Sequence, residues 1–329
     1  MRFTQTEKHE IIQLVEGSSI GVNRTLKEIG IHKRTFYNWY ARYCVGGFDA
    51  LGPQGRKGSQ RRIWNKIPEE EKNRIVEIAL EKPHLSSREI ACYITDNYKR
   101  FVSESSVYRI LKQRGLISAP SFVVMSAADS FKDKTMRVNQ MWQTDFTYFK
   151  IVGWGWYYLS TVLDDYSRYI VAWDLCSNMS APNVMQTVNK ALYQTGLNTK
   201  NAPKLLSDNG ACYISSELNA FLQKKGIESI HGRPCHPQTQ GKIERYHRTM
   251  KNVVKLDVYY SPEELEQAIE KFVYYYNNER YHESINNLKP TDVFYGNDTQ
   301  ILRERNRTKQ LTIKLRRRNH QKEKLILTH

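Results

Sequence analysis

The sequence predicts a multidomain chain: two small all-α helix-turn-helix domains followed by a mixed α/β core. Three observations carry this. Before residue 118, two stretches each show the order helix, short helix, turn, helix. After residue 140, three consecutive β-rich runs give way to alternating helix and strand patterns. The net charge of +16 is also uneven: residues 1–120 carry 21 Lys/Arg against 13 Asp/Glu, residues 301–329 carry 10 against 2, and residues 121–300 are balanced at 19 each. Basic flanks around a neutral middle are the electrostatic footprint of a polyanion partner, a merely soluble basic surface being the plain alternative.

The first domain, 1–47, reads as three helices. Thr6 to Glu16 carries apolar residues at 11, 12, 14 and 15, and Thr25-Leu26-Lys27-Glu28 has the pattern of a capping box that would start a second helix. Gly30 marks a tight turn before a third helix from Lys33 to Tyr43. An apolar stripe at 36, 39, 40 and 43 leaves Lys33, Arg34, Thr35, Tyr37, Asn38 and Arg42 to face outward, where a recognition helix would meet base edges. A purely structural three-helix bundle would show the same stripe. Residues 48–67 read as a Gly-, Pro- and base-rich linker. Its Arg56, Lys57, Arg61 and Arg62 could lie along a minor groove or phosphate track.

The second domain, 68–118, repeats the logic. Pro68 precedes three acids at 69–71, which suit the positive end of a helix. Ser86 to Glu89 is a capping box for a helix through Asp96, and Ser105 to Arg114 is a third helix closed by Gly115. Ser105, Ser106, Arg109 and Lys112 fall on its polar side. A connector, 119–139, follows, with a helical tendency from Phe131 to Val138.

The core spans 140–296. Strands are expected at 142–152, 156–163 and 168–175, joined by turns at Gly153 to Gly155 and Asp164 to Ser167. A helix at 181–195, a strand at 203–207, a helix at 215–225, a strand at 227–231 and helices at 240–256 and 262–278 complete it. The basic tail, 297–329, contains Leu311 to Leu315, a short strand pattern.

Mean hydropathy is −0.65 and no apolar run approaches 18 residues, so neither a membrane span nor a membrane partner is expected. The first residues lack the apolar stretch of a secretory signal. Cysteines 44, 92, 176, 212 and 235 are odd in number and form no Cys-x-x-Cys pair, which points to a reduced, intracellular protein. His231, Cys235 and His236 match no familiar zinc spacing.

Three carboxylates stand out among the 19 acids of residues 121–300. Asp145 lies in Trp142-Gln143-Thr144-Asp145, inside the first strand, where an unpartnered carboxylate would be costly. Asp208 ends the apolar run Leu205-Leu206-Ser207 just before Asn209-Gly210, at a strand end where ligands gather in α/β sheets. Glu244 opens a basic helix, with Arg248 and Lys251 at i+4 and i+7 on its face. Such oxygen donors suit Mg²⁺ or Mn²⁺, and converging on two ions they meet the needs of phosphodiester chemistry. Asp164 and Asp165 are the competing pair, set aside because Asp is common in hairpin turns.

The order Asp, Asp, 35 residues, Glu, with Trp142-Gln143-Thr144-Asp145 before it and His236-Pro-Gln-Thr-Gln-Gly-Lys-Ile-Glu244-Arg245 around the third acid, resembles the core of the retroviral-integrase superfamily. Within it, the chain most resembles bacterial insertion-sequence transposases. The resemblance implies a ribonuclease H-like integrase catalytic core with two metal ions per site, Asp145 bridging both and Asp208 and Glu244 each holding one. It implies that Lys242, Arg245, Arg248 and Lys251 contact DNA near the reacting end. It further implies metal-dependent cleavage and strand transfer on double-stranded DNA, both element ends and target, by a homo-oligomer in the bacterial cytoplasm at the nucleoid. Two other readings stay open: a catalytically silent helix-turn-helix regulator, and a ribonuclease H-type nuclease.

Overall fold

The computed structural model describes residues 3–18, 20–52, 64–117, 135–231 and 241–326. They fall into two compact units, Met1–Trp64 and Asn65–His329.

The first unit contains α1 (Gln5–Glu16), α2 (Val22–Glu28) and α3 (Lys33–Gly46). Thr4 and Glu7 form a reciprocal capping box at the start of α1. The expected start of the second helix at Thr25 is corrected. The helix begins at Val22, and Thr25 is buried inside it with its hydroxyl donating to the Ile20 carbonyl at 3.0 Å. Starting there brings Val22 and Leu26 onto one face of the core that Ile12, Ile31, Phe36 and Trp39 complete. Gly30 takes φ +71°, the left-handed turn that glycine adopts without strain.

The linker also begins later than expected. Phe48–Leu51 form a 3-10 turn and Leu51 is wholly buried in the same core, a burial worth about 2 kcal/mol. Arg42 fastens this segment to α3, donating to the carbonyls of Ala50 and, at 2.8 Å, of Gly52. Arg56, Lys57, Arg61 and Arg62 lie outside the described residues.

The second unit opens with α4 (Glu69–Glu81), α5 (Ser87–Tyr98) and α6 (Glu104–Gln113). The Ser86–Glu89 capping box forms as the sequence predicts, and Ser103 caps α6. At the far end of α6, the Leu116 N–H donates to the Leu111 carbonyl across Gly115 at φ +71°, a helix stop that requires the left-handed residue.

Five strands follow: β1 (Met141–Ile151), β2 (Gly155–Asp164), β3 (Ile170–Cys176), β4 (Lys204–Ser207) and β5 (Glu228–His231). Their order is β3-β2-β1-β4-β5, with an antiparallel β1–β2–β3 meander and β4 and β5 parallel to β1. One face packs on α7 (Ala181–Thr195) and α8 (Ser216–Lys224) through Trp142, Val162, Val184, Val188 and Leu205. The other packs on α9 (Gly241–Val254) and α10 (Pro262–Asn278) through Phe149, Leu159, Ile243, Tyr246 and Phe272. This three-layer mixed sheet is the ribonuclease H-like fold. A short helix, α11 (Pro290–Phe294), leads out of it.

Two further expectations are corrected. In the Phe131–Val138 segment, the described residues 135–138 form a bend and turn and no helix; residues 131–134 lie outside the described set. Leu311–Leu315 is not a strand but the middle of α12 (Asp298–Ile326), a 29-residue helix. Its local alternation is overridden by a four-residue rhythm, Thr308, Thr312 and Arg316, that faces the second helical domain. Thr312 accepts from the Phe101 N–H at 3.1 Å. Arg316, buried, donates to Glu71 at 2.8 Å, to Asn65 and to the Phe101 carbonyl. Arg305 grips Asp96 with two bonds of 2.6 and 2.7 Å and the Asn287 carbonyl at 2.9 Å. The tail is therefore a strut holding α4–α6 to the core within one unit.

Candidate active site

Asp145 sits on β1, the central strand, half-buried. Its Oδ1 accepts from the Phe146 N–H at 2.8 Å. The β1–β4 ladder pairs Met141 with Lys204, Trp142 with Leu205 and Gln143 with Leu206. Carried two residues further, the same register sets Asp208 beside Asp145, on strands about 4.8 Å apart. Asp208 is exposed where β4 ends, its Oδ1 accepting from the Gly210 N–H at 2.8 Å in the turn the sequence predicts. Both carboxylates act on the same neighbours. Burial and then Asp145 push up the pKa of the fully buried Tyr213 hydroxyl, Asp208 adding to the rise and the Thr144 hydroxyl opposing it. The Cys212 thiol is raised by burial first, then by Asp208 and Asp145.

Glu244 arrives on α9, whose Ile243, Tyr246, His247, Met250 and Val254 are buried and whose Glu244, Arg245 and Arg248 are exposed. The helix is fixed to β1 by Gln143, which is 1% exposed. Its Oε1 accepts from the Ile243 N–H at 3.1 Å, one of the donors that a helix start leaves unpaired. Its Nε2 donates to Asp165 at 2.7 Å. Asp165 also accepts from Thr135 at 2.6 Å and from the Lys242 ammonium. So Gln143, Asp165 and Lys242 lock the first turn of α9 two residues from Asp145 along β1.

Among the described residues, no three His, Cys, Asp or Glu side chains stand close enough together to hold a metal ion. The β1–β4 register, carried on, puts Asp145 and Asp208 at neighbouring positions; Glu244 is held on the neighbouring helix, and the three are not gathered into a three-donor cluster. The donor chemistry, carboxylate oxygens at a strand end, fits a hard divalent cation.

The basic residues divide. Lys242 turns inward to buried Asp165 instead of facing an open groove. Arg245 and Arg248 are exposed. Lys251 stacks its ammonium 4.5 Å over the Tyr148 ring, with Lys255 at 5.4 Å. Burial and Lys255 lower its pKa, and Asp145 opposes them, so Lys251 lies within the field of the acid site. Of the helix-turn-helix candidates, Lys33, Arg34, Tyr37 and Asn38 are exposed on α3 and Thr35 is half-buried, while Arg42 is occupied with the carbonyls named above. On α6, Ser105, Arg109 and Lys112 are exposed and Ser106 bonds to Ser103 at 2.9 Å.

Sequence reasoning missed His247. This buried residue places Nδ1 3.3 Å from Asp145 Oδ2, and its Nε2 has no hydrogen-bond partner among the described residues. The signal was its position three residues after Glu244, on an adjacent row of one helix face. Gln143 was missed too, although i and i+2 on a strand point to the same side as Asp145.

These features define a ribonuclease H-like core with one carboxylate inside the central strand and another at the end of its neighbour. The family comparisons agree with that class. An integrase core domain matches residues 136–237, a second integrase core domain matches 225–290, and a homeodomain-like domain matches 35–111. Over this core the chain is similar to the integrase superfamily, and insertion-sequence transposases are among the proteins it resembles. The transposase for insertion sequence element IS904 of Lactococcus lactis is 29% identical over 150 residues, 44% of this chain and 56% of that protein. The Gag-Pro-Pol polyprotein of squirrel monkey retrovirus is 34% identical over 116 residues, 35% of this chain and 6% of that protein. The chain thus spans little more than half the length of the first of these relatives and far less of the second. Among solved structures, the HTLV-2 integrase catalytic core domain in complex with magnesium aligns at 20% identity and a TM-score of 0.39, covering 48% of this chain and 98% of that one.

Proposed function

We propose that this protein is a transposase that binds the ends of a mobile DNA element and cuts and joins DNA with a metal-dependent Asp145, Asp208 and Glu244 site. The observation that carries the reading is the β1–β4 register, which carried two residues further sets Asp208 beside Asp145, with the Glu244 helix tied to β1 through Gln143. In this reading the three acids hold two Mg²⁺ or Mn²⁺ ions, which would activate the attacking oxygen and stabilise charge on the phosphate. His247 orients the Asp145 carboxylate from behind. Lys251, Arg245 and Arg248 meet phosphates along α9, while α3 and α6 read the element's ends, with the basic linker between them following the backbone. The separate roles of residues 1–64, 65–117 and the core belong to this proposal, as does assembly of a homo-oligomer on two ends in the bacterial cytoplasm. Among the described residues no helix is long and apolar enough to cross a membrane.

The test is a strand-transfer assay with Mn²⁺, using a duplex that ends in the inverted repeats flanking the gene. Joined products are expected. Cleavage without joining would favour a nuclease, and end binding with no products would leave a silent regulator.

A further inference from the structure

The strut α12 has two opposite faces. At 100° per residue, Thr308, Thr312 and Arg316 form the inner stripe, and Arg303, Arg307, Lys314 and Arg318 fall together on the far side. All four are exposed, as are Asn306 and Gln310 between them. Every one of these six side chains can donate hydrogen bonds, and none is acidic. A helix face that serves only to be solvated usually mixes signs, since Glu and Lys at i,i+4 stabilise it. Here Arg303–Arg307 and Lys314–Arg318 are like-charge pairs at that spacing, each destabilising by a few tenths of a kcal/mol. The acid nearest the stripe, Glu304, is directed to Gln300 at 3.2 Å and to Lys99 at 3.9 Å.

We propose that this outer face of α12 is a third DNA surface, tracking the phosphates of duplex DNA without reading its sequence. From 303 to 318 it runs about 23 Å at 1.5 Å per residue, while duplex DNA presents one charge per about 1.7 Å. Arg305 and Arg316 on the inner face bolt the helix to α4–α6, so the outer donors are held in place before DNA arrives. Duplex DNA fits better than an acidic protein, because the stripe holds one apolar residue, the exposed Leu311, too little to form the core of a protein interface. The surface is distinct from the helix-turn-helix faces and from the acid site.

The test uses the full-length chain with Arg303→Gln, Arg307→Gln, Lys314→Gln and Arg318→Gln combined. Binding to a duplex of unrelated sequence is followed by fluorescence anisotropy between 50 and 200 mM salt. The log–log salt slope should become shallower by about 2 to 4, at about 0.9 per lost phosphate contact, and affinity at 100 mM salt should fall at least about tenfold. The melting temperature should stay level or rise, as two repulsive pairs are gone. A second variant with Arg303→Lys, Arg307→Lys and Arg318→Lys should keep the wild-type slope. Unchanged slope and affinity in the Gln variant would overturn the proposal, as would an equal loss in the Lys variant, which would mark a structural role. If the unaltered chain binds no duplex, the transposase reading fails as well; if it binds and the Gln variant binds equally, only this surface is lost.

Discussion

Two pairs of aspartates lie on or next to the strands of this sheet, and they are used in opposite ways. Asp164 and Asp165 are almost wholly buried and fully engaged. Asp164 accepts from the Asn139 N–H, the Ser167 N–H and the Ser167 hydroxyl, at 2.6 to 2.8 Å. Burial pushes its pKa up and these bonds pull it back. Asp165 holds Gln143, Thr135 and Lys242. Asp145, on the central strand, is by contrast half-buried, and Asp208, just past β4, is exposed. A carboxylate whose lone pairs are all taken by the protein builds structure; one left with access to solvent is available for chemistry. The inner pair sets the hairpin and the first turn of α9, so that the outer pair meets Glu244's helix at a fixed place.

The largest effect that would sharpen this contrast is catalytic. Asp145→Asn, Asp208→Asn and Glu244→Gln should each lower strand transfer more than about a hundredfold, some 2.7 kcal/mol of barrier, with unchanged unfolding midpoints and intact end binding. Retention of more than a hundredth of the activity in any one of them removes that residue from the site.

The inner pair should respond in stability instead. Asp165→Ala takes the carboxylate acceptor from the Lys242 ammonium and the Gln143 amide, and breaking such a buried pair costs about 3 to 5 kcal/mol. Urea unfolding measures this. A loss under 1 kcal/mol would erase the distinction between the two pairs.

A buried histidine gives a test by pH. Burial, then Arg280 and Arg168, hold His282 down at about 3. An unfolded chain would protonate it near 6.5, so the folded state binds fewer protons and stability, full above pH 6.5, falls as pH drops from there toward 3, by about 1.4 kcal/mol per unit. His282→Phe keeps a ring against Tyr276 and should flatten the decline between pH 6.5 and 4.5 by that amount per unit. Parallel curves for the two proteins would contradict it.

The smallest effect concerns the strut. Arg305→Ala removes a two-bond grip on Asp96 and should cost about 2 kcal/mol, with faster proteolysis between α6 and β1. Arg305→Lys should not restore it, since an ammonium lacks the planar fork. Unchanged proteolysis would mean that α12 does not hold the second helical domain.

Much of this fold was legible because it follows from local rules. The order and nearly all the bounds of the core elements came from period-2 and period-3.6 patterns, and α7 falls where its pattern placed it, at Ala181–Thr195. The capping box at Ser86 needed only four residues to be read. The same box pattern at Thr25 misled, because a turn and a packed core three residues earlier decided the start. The candidate acids were legible from their settings at a strand interior, a strand end and a helix start; that Asp145 and Asp208 share a register was not, because it depends on which strands pair.

The sequence by itself determined the periodicities, the punctuation by Gly and Pro, the carboxylates and the basic flanks. Tertiary structure decided which groups are turned inward. Lys242 looked like a DNA contact and is paired to Asp165, 77 positions away. The tail looked like a basic end with a short strand and is a helix fixed to Asp96 and Glu71, more than 200 positions away. The second helical domain therefore belongs with the core, and a fragment cut at residue 118 would lose its brace, whereas Met1–Trp64 is compact by itself. The physical reason is common to all three cases: propensity and periodicity act within a few residues, while the partner that neutralises a buried charge is chosen by the packing of distant segments.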